Sequence, residues 1–197
     1  MNEYITFSFF VILGYLLGSI PFGYLIGKLK KIDIRKEGSG NTGATNVSRF
    51  LGFKYAFLVA FLDIFKALLP IYIASFYISN DWQMFFVIIA PIIGHVFSIW
   101  LKFKGGKAVS TVFAAIIYIT GWKALIFLMI WVLMLKLIKI MSLTNLLIIL
   151  FIPFWFWLET QSLPYFFLGL FFVILIYWAH RENIKRLIRE EEKKIVK

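Results

Sequence analysis

The run AVSTVFAAIIYITGWKALIFLMIWVLML, from Ala108 to Leu135, decides how this chain is folded. It is apolar except around Thr120-Gly121-Trp122-Lys123. As one helix its 28 residues would reach about 42 Å, well beyond the ~30 Å of a bilayer's hydrocarbon, and as two helices each would be short. Charge settles the choice. If the run crosses twice, the basic loops at 28–54, 102–107, 136–142 and 181–197 share one side, and they hold 19 of the 21 Lys and Arg residues. A single crossing would send Lys136, Lys139 and the residues after them to the wrong face, against the positive-inside rule. Further apolar segments lie at about 5–27, 55–78, 83–101, 143–158 and 164–179. The expectation is an all-α membrane protein with seven transmembrane helices, some short or kinked, its N-terminus outside and its C-terminus cytoplasmic. The chain, 1–197, is expected to form a single integral membrane domain.

Composition agrees with that class. Hydrophobic residues make up 61% of the chain and aromatics 20%, with a mean hydropathy of +0.87. Soluble domains use about 45–50% apolar residues. The apolar runs are continuous and lack period two, which argues for helices and against a β-barrel. There is no cysteine, so disulfides, thiolate nucleophiles and iron–sulfur clusters are excluded. With only His95 and His180, no metal site is expected, and no cofactor. Met1-Asn2-Glu3-Tyr4 lacks the positive n-region of a signal peptide, so the first apolar segment is expected to stay as an anchor. The formal net charge of +11 points to an anionic lipid surface and to membrane orientation, not to nucleic acid.

Within the spans, Gly14 and Gly18, then Gly23 and Gly27, form two small-xxx-small pairs around Pro21, a kink between closely packed stretches. Asp63 and Lys66, three residues apart, share one helical face that must look into the bundle, as an internal ion pair or as part of a site. Trp178 and Tyr177 mark an interfacial belt, and the tail from Arg186 to Lys197 reads as a solvated amphipathic end.

Between the first two spans lies Gly38-Ser39-Gly40-Asn41-Thr42-Gly43-Ala44-Thr45-Asn46-Val47-Ser48-Arg49, a polar loop punctuated by glycine. Its glycines are expected to turn backbone N–H groups toward an anion, its hydroxyls and amides to add neutral hydrogen bonds, and Arg49 to add a planar cation suited to phosphate. A dinucleotide fingerprint is excluded because no βαβ unit surrounds it, and a nucleotide P-loop because Ala44-Thr45 follows Gly43 in place of Lys-Ser/Thr. A second loop, Lys102-Phe103-Lys104-Gly105-Gly106-Lys107, sets paired glycines among lysines before a new apolar run. A third cluster follows the last span, where His180, Asn183 and Arg186 are spaced three apart. In the seven-span map all three face the cytoplasm, where they can converge on a small phosphorylated molecule meeting a lipid.

These clusters resemble a known family. Gly38-Ser39-Gly40-Asn41-x-Gly43-Ala44-Thr45-Asn46-x-x-Arg49, Gly94-His95 with Phe103-Lys104-Gly105-Gly106-Lys107, and His180-Arg181-Glu182-Asn183-Ile184 with Arg186 are similar to the three signature motifs of the bacterial acyl-phosphate:glycerol-3-phosphate acyltransferases, the PlsY family. Gly18-Ser19-Ile20-Pro21-Phe22-Gly23 and Asp63-x-x-Lys66 match as well, so the resemblance covers the whole chain. It departs at Ser98, where proline is usual, and at Ala67 and Ala108, where glycine is usual.

The resemblance implies transfer of a fatty acyl group from acyl phosphate to the 1-hydroxyl of glycerol 3-phosphate, giving lysophosphatidate, without direct use of acyl-CoA or acyl carrier protein. It implies a monomer in the bacterial cytoplasmic (inner) membrane, whose partners are its two substrates and membrane lipids. His180, Asn183 and Ser39 are implied as catalytic. Arg49, Lys107, Lys104, Gly105, Gly106, Gly40, Asn41, Thr45 and Asn46 are implied as substrate-binding, and Glu182 as mainly structural. Acyl phosphate is already an activated mixed anhydride, so positioning and charge neutralisation suffice without a covalent intermediate, and the hydroxyl proton goes to His180 or to a substrate phosphate. The rival reading is a membrane transporter of organic phosphates gated by Asp63 and Lys66. Its polar groups should lie near the midplane within repeats, whereas here they cluster at one face and no repeat is visible.

Overall fold

The computed structural model describes residues 2–195, and these contain helices and no strand. The chain divides between Tyr118 and Ile119 into two compact units.

In the first unit, α1 (Glu3–Gly18) starts at Asn2, whose side chain caps Tyr4 N–H, and it stops where Pro21 removes a backbone donor. The helix resumes as α2 (Phe22–Leu29), with Ile20 and Pro21 as the break expected from the sequence. Then come α3 (Ala44–Leu51), α4 (Phe53–Ala74), α5 (Asp81–Val96), a 3-10 turn at Ile99–Leu101, and α6 (Val109–Thr120). The small residues have a definite use. A Cβ on Gly18 would overlap the Pro91 carbonyl, so α1 and α5 approach backbone to backbone. Below the polar loop, Ile26, Ile34, Val47 and Val59 form a buried cluster flanked by Ala44, Leu51, Tyr55 and Leu62. This explains α3: Ala44, Val47 and Leu51 lie on one face at spacings of three and four, leaving Thr45, Ser48 and Arg49 on the others. Fully burying a side chain such as Val47 contributes about 1.5–3 kcal/mol, which seats the loop on α2 and α4.

In the second unit a 3-10 turn, Gly121–Lys123, leads into α7 (Ala124–Ile138), α8 (Met141–Ile148), a 3-10 turn at Ile149–Phe151, α9 (Ile152–Thr160), α10 (Leu163–Ala179) and α11 (Arg181–Ile188). α7 and the stretch Met141–Thr160 run antiparallel. Lys123 pairs with Glu159 at 2.7 Å, the Phe127 and Trp155 rings lie 5.6 Å apart, and Trp131 Nε1 donates to Asn145 Oδ1 at 2.8 Å. The Phe156 and Phe172 rings meet edge to face, tying α9 to α10.

Among the described residues five helical stretches are long and apolar enough to cross a membrane: Glu3–Leu29, Phe53–Ala74, Asp81–Leu101, Val109–Ile138 and Met141–Thr160. A sixth is gained when Leu163–Ala179 and Arg181–Ile188, bent by 62°, count as one. The count falls below seven because α6 and α7, at 12 and 15 residues, are each shorter than a straight bilayer crossing requires.

Candidate active site

The first unit carries two of the three polar clusters. In the glycine loop, the side chain of Asn46 is the organiser. It is buried, its Oδ1 accepts from Ser39 N–H at 3.1 Å, and its Nδ2 donates to the Ile34 and Glu37 carbonyls at 3.1 and 2.9 Å. Gly38 adopts φ +56°, and a Cβ there would meet Asn46 Oδ1, so this position needs glycine. Asn41 Oδ1 accepts from Gly43 N–H at 2.8 Å, Gly40 N–H donates to Glu37, and Asn41 N–H reaches Ser39 Oγ at 3.4 Å. The glycine-rich segment therefore spends its N–H groups on its own shape, whereas the sequence suggested that they point at an anion. The first-turn N–H groups of α3, at Ala44 and Thr45, have no backbone acceptor among the described residues, as expected at a helix start. Arg49 on the same helix is exposed, with no ion-pair partner among the described residues. Ser39 is exposed and Thr45 half-buried. Ahead of the loop, Arg35 caps it: the guanidinium hydrogen-bonds Asp33 and stacks over Tyr24 at 4.3 Å. That hydrogen bond holds the Asp33 carboxyl down at about 2.

The second loop folds back on the end of α5. Gly105 N–H donates to the Val96 carbonyl and Gly106 N–H to the His95 carbonyl, both at 2.9 Å. A Cβ on Gly106 would overlap His95 Nε2, so the imidazole packs directly on the loop backbone. Lys104 is exposed and Lys107 half-buried. Ala108, which follows, is fully buried at φ +66°, a left-handed conformation in which an L-residue other than glycine is strained. Ser98 sits at φ −63°, which proline would share, and its Oγ donates to the Ser19 carbonyl at 2.6 Å.

Beneath both loops lies a charged group that sequence reasoning only half assembled. Asp63 and Lys66 pair at 2.6 Å, each with 3% of its side chain exposed. Lys66 Nζ also donates to the Ile20 carbonyl, freed by the Pro21 break, at 2.6 Å, and to His95 Nδ1 at 3.0 Å, which puts the ring proton on Nε2. Ser19, Thr42, Asp63, Lys66, His95 and Ser98 line a narrow, closely packed crevice.

The second unit carries the third cluster. His180 is both the C-cap of α10 and the N-cap of α11, at the 62° bend between them. Its Nδ1 lies 2.9 Å from the Ile176 carbonyl, which can only accept, so Nδ1 carries the proton and Nε2 the lone pair of the neutral ring. Asn183 Nδ2 donates to Glu192 Oε1 at 2.6 Å. Arg186 Nε donates to the other oxygen of that carboxylate at 2.6 Å, and Ser142 Oγ to the first at 2.9 Å. Burial opposes ionisation of Glu192, but these three donors outweigh it and hold the carboxyl below its ordinary range. The tail thus turns back onto α11 at Glu192, while Glu190, Glu191, Lys193, Lys194 and Ile195 stay exposed as the sequence suggested, and its last two residues, 196 and 197, lie outside the described residues. Glu182 pairs with Lys185 at 3.1 Å on the exposed face, and its carboxyl is lowered by that hydrogen bond.

The chain is similar throughout its length to proteins of one activity. Residues 8–190 match the family described as glycerol-3-phosphate acyltransferase. A glycerol-3-phosphate acyltransferase of Prochlorococcus marinus subsp. pastoris is 45% identical over 93% of this chain and 94% of its own. One from Thermosipho melanesiensis is 39% identical over 98% and 92%. Among solved structures, PlsY (YgiH), an integral membrane glycerol 3-phosphate acyltransferase, superposes in its glycerol 3-phosphate form with a TM-score of 0.90 at 37% identity, covering 96% of both chains. Its lysophosphatidic acid form gives 0.88 at 36%, covering 96% and 95%. Helices that cross a membrane, a polar loop ordered around Asn46, and full-length likeness to these enzymes together place this chain in the glycerol-3-phosphate acyltransferase family, as an integral membrane acyltransferase of the PlsY type.

Proposed function

We propose that this enzyme transfers a fatty acyl group from acyl phosphate to the 1-hydroxyl of glycerol 3-phosphate at the cytoplasmic face of a bacterial inner membrane, as a monomer whose two units act as one domain. The observation that carries this reading is Arg49: an exposed guanidinium without an ion-pair partner among the described residues, on the short helix that the ordered glycine loop begins. Such a group suits bidentate contact with phosphate. The similar PlsY has been solved in a glycerol 3-phosphate form and a lysophosphatidic acid form, an acceptor and its acylated product.

In this reading Arg49, Lys107 and Lys104, with the α3 N-terminus at Thr45, neutralise the substrate phosphates. Ser39 acts with His180 and Asn183 on the reacting groups, Gly40 and Asn41 shape the rim, Asn46 holds it, and Gly105 and Gly106 carry Lys107. The 1-hydroxyl oxygen attacks the acyl carbonyl, the bond from that carbon to the phosphate oxygen breaks, and inorganic phosphate leaves with the electron pair. His180 Nε2 takes the hydroxyl proton, and Asn183 orients the acceptor. A positioned base is worth about 10²–10⁴ in rate, so His180→Gln should lose at least tenfold, and a smaller loss would remove His180 from that role. Arg49→Ala should raise the KM for glycerol 3-phosphate severely, and near-normal turnover would sink the phosphate clamp.

The topology proposed is seven spans with the N-terminus outside. The Lys123–Glu159 pair supports it. Glu159 ends a 20-residue stretch able to cross the bilayer, and Lys123, at the start of the antiparallel α7, lies level with that end. α7 is then a short crossing that begins at the outer end, and α6 a second short crossing of its own.

A further inference from the structure

Glu192 lies just past residues 8–190, where the family match ends, yet its side chain is only 7% exposed. The backbone puts it there. α11 ends with Glu190 at φ +59°, Glu190 N–H donates to Leu187 O, and Glu191 N–H donates to Arg186 O at 2.8 Å, a Schellman cap that turns the chain back along its own helix. Ile195 N–H then donates to the Lys139 carbonyl at 2.8 Å, pinning the returned tail at the end of α7. One carboxylate thereby collects Asn183 Nδ2, Arg186 Nε and Ser142 Oγ, donors from α11 and α8. Asn183 and Arg186 are three apart on one helical face. A carboxylate accepts only, so its contact with Nδ2 fixes which way round the Asn183 amide lies, and its contact with Nε takes up the Arg186 charge.

We propose that Glu192 is a positioning residue for acyl transfer: anchored by Arg186, it locks the Asn183 amide in the arrangement that receives glycerol 3-phosphate. This rests on the role proposed above for Asn183. Glutamine at 192 keeps the shape, but its NH2 group must either face Arg186 Nε, losing that contact, or face Asn183, whose amide must then turn over to accept.

The test is steady-state kinetics of the full-length enzyme in lipid, varying glycerol 3-phosphate and palmitoyl phosphate separately, with thermal unfolding of each variant. Glu192→Gln should raise the KM for glycerol 3-phosphate about ten- to a hundredfold, leave the KM for palmitoyl phosphate within twofold, and leave the melting temperature within a few degrees. Glu192→Asp, which restores the carboxylate on a tail able to shift, should recover most of that loss. Unchanged kinetics would overturn the proposal, as would a loss in kcat alone shared by both substrates. A lower KM for glycerol 3-phosphate would also overturn it, because the carboxylate would then be competing with substrate phosphate. Asn183→Ala separates the two ideas: near-normal kinetics there would reject the role of Asn183 itself, whatever Glu192→Gln shows.

Discussion

Replacing Lys66 by methionine keeps the length of the side chain and removes its charge, and the cost can be worked from the contacts. The wild-type ammonium forms an ion pair with Asp63 at 2.6 Å and donates to the Ile20 carbonyl at 2.6 Å and to His95 Nδ1 at 3.0 Å, in a site where both charged side chains are 3% exposed. Without it, the folded chain must hold the Asp63 carboxylate buried and uncompensated, a loss of about 3–5 kcal/mol when one partner of a buried pair is removed. The other route is a proton on Asp63. At pH 7 this costs an ordinary carboxyl roughly 4 kcal/mol, about three pH units at 1.36 kcal/mol each, so neither route is cheap. The cheaper route costs about 3–4 kcal/mol, so at ~2–4 °C per kcal/mol for a chain of this size Lys66→Met should melt roughly 6–16 °C below wild type in detergent. Replacing both charges, as Asp63→Leu with Lys66→Met, leaves no orphan charge and should recover at least half of the loss. A fall of less than about 3 °C in Lys66→Met would refute the reasoning, since Asp63 would then have to be solvated.

Two further outcomes follow from the same geometry. Ala108→Gly should remove a left-handed strain of about 1–2 kcal/mol at the cost of some unfolded-chain entropy, raising the melting temperature by a few degrees with activity kept; a lower melting temperature would contradict the strain. Because the chain has no cysteine, Lys123→Cys and Lys54→Cys can each be probed with a membrane-impermeant thiol reagent. Labelling of Lys123→Cys from outside and of Lys54→Cys only after permeabilisation is expected, and the reverse pattern would invert the topology.

Much of the fold was legible because apolar length and proline are local signals. The Pro21 break and the interruption at Gly121–Lys123 lie where the sequence put them, and the Asp63–Lys66 pairing follows from a spacing of three. What pairs with that face did not follow. His95 and the Ile20 carbonyl come from other elements, and only the close approach of α1 and α5 delivers them. Asn46 reads as one more polar residue in a polar loop; its three backbone contacts depend on Ile34 and Glu37, which belong to a charged run with no periodicity. Glu192 was the least legible. The turn that buries it uses Glu190 in a left-handed conformation where glycine is the usual signal, so nothing in the charged tail announces a reversal.

The most direct measurement is acyl transfer by the purified, lipid-reconstituted protein, supplied with palmitoyl phosphate and glycerol 3-phosphate, with palmitoyl-CoA and a metal chelator in parallel reactions. The account predicts lysophosphatidate and inorganic phosphate from palmitoyl phosphate, undiminished by the chelator, and none from palmitoyl-CoA. Folded protein that forms no lysophosphatidate from palmitoyl phosphate, or forms it as readily from palmitoyl-CoA, would contradict it.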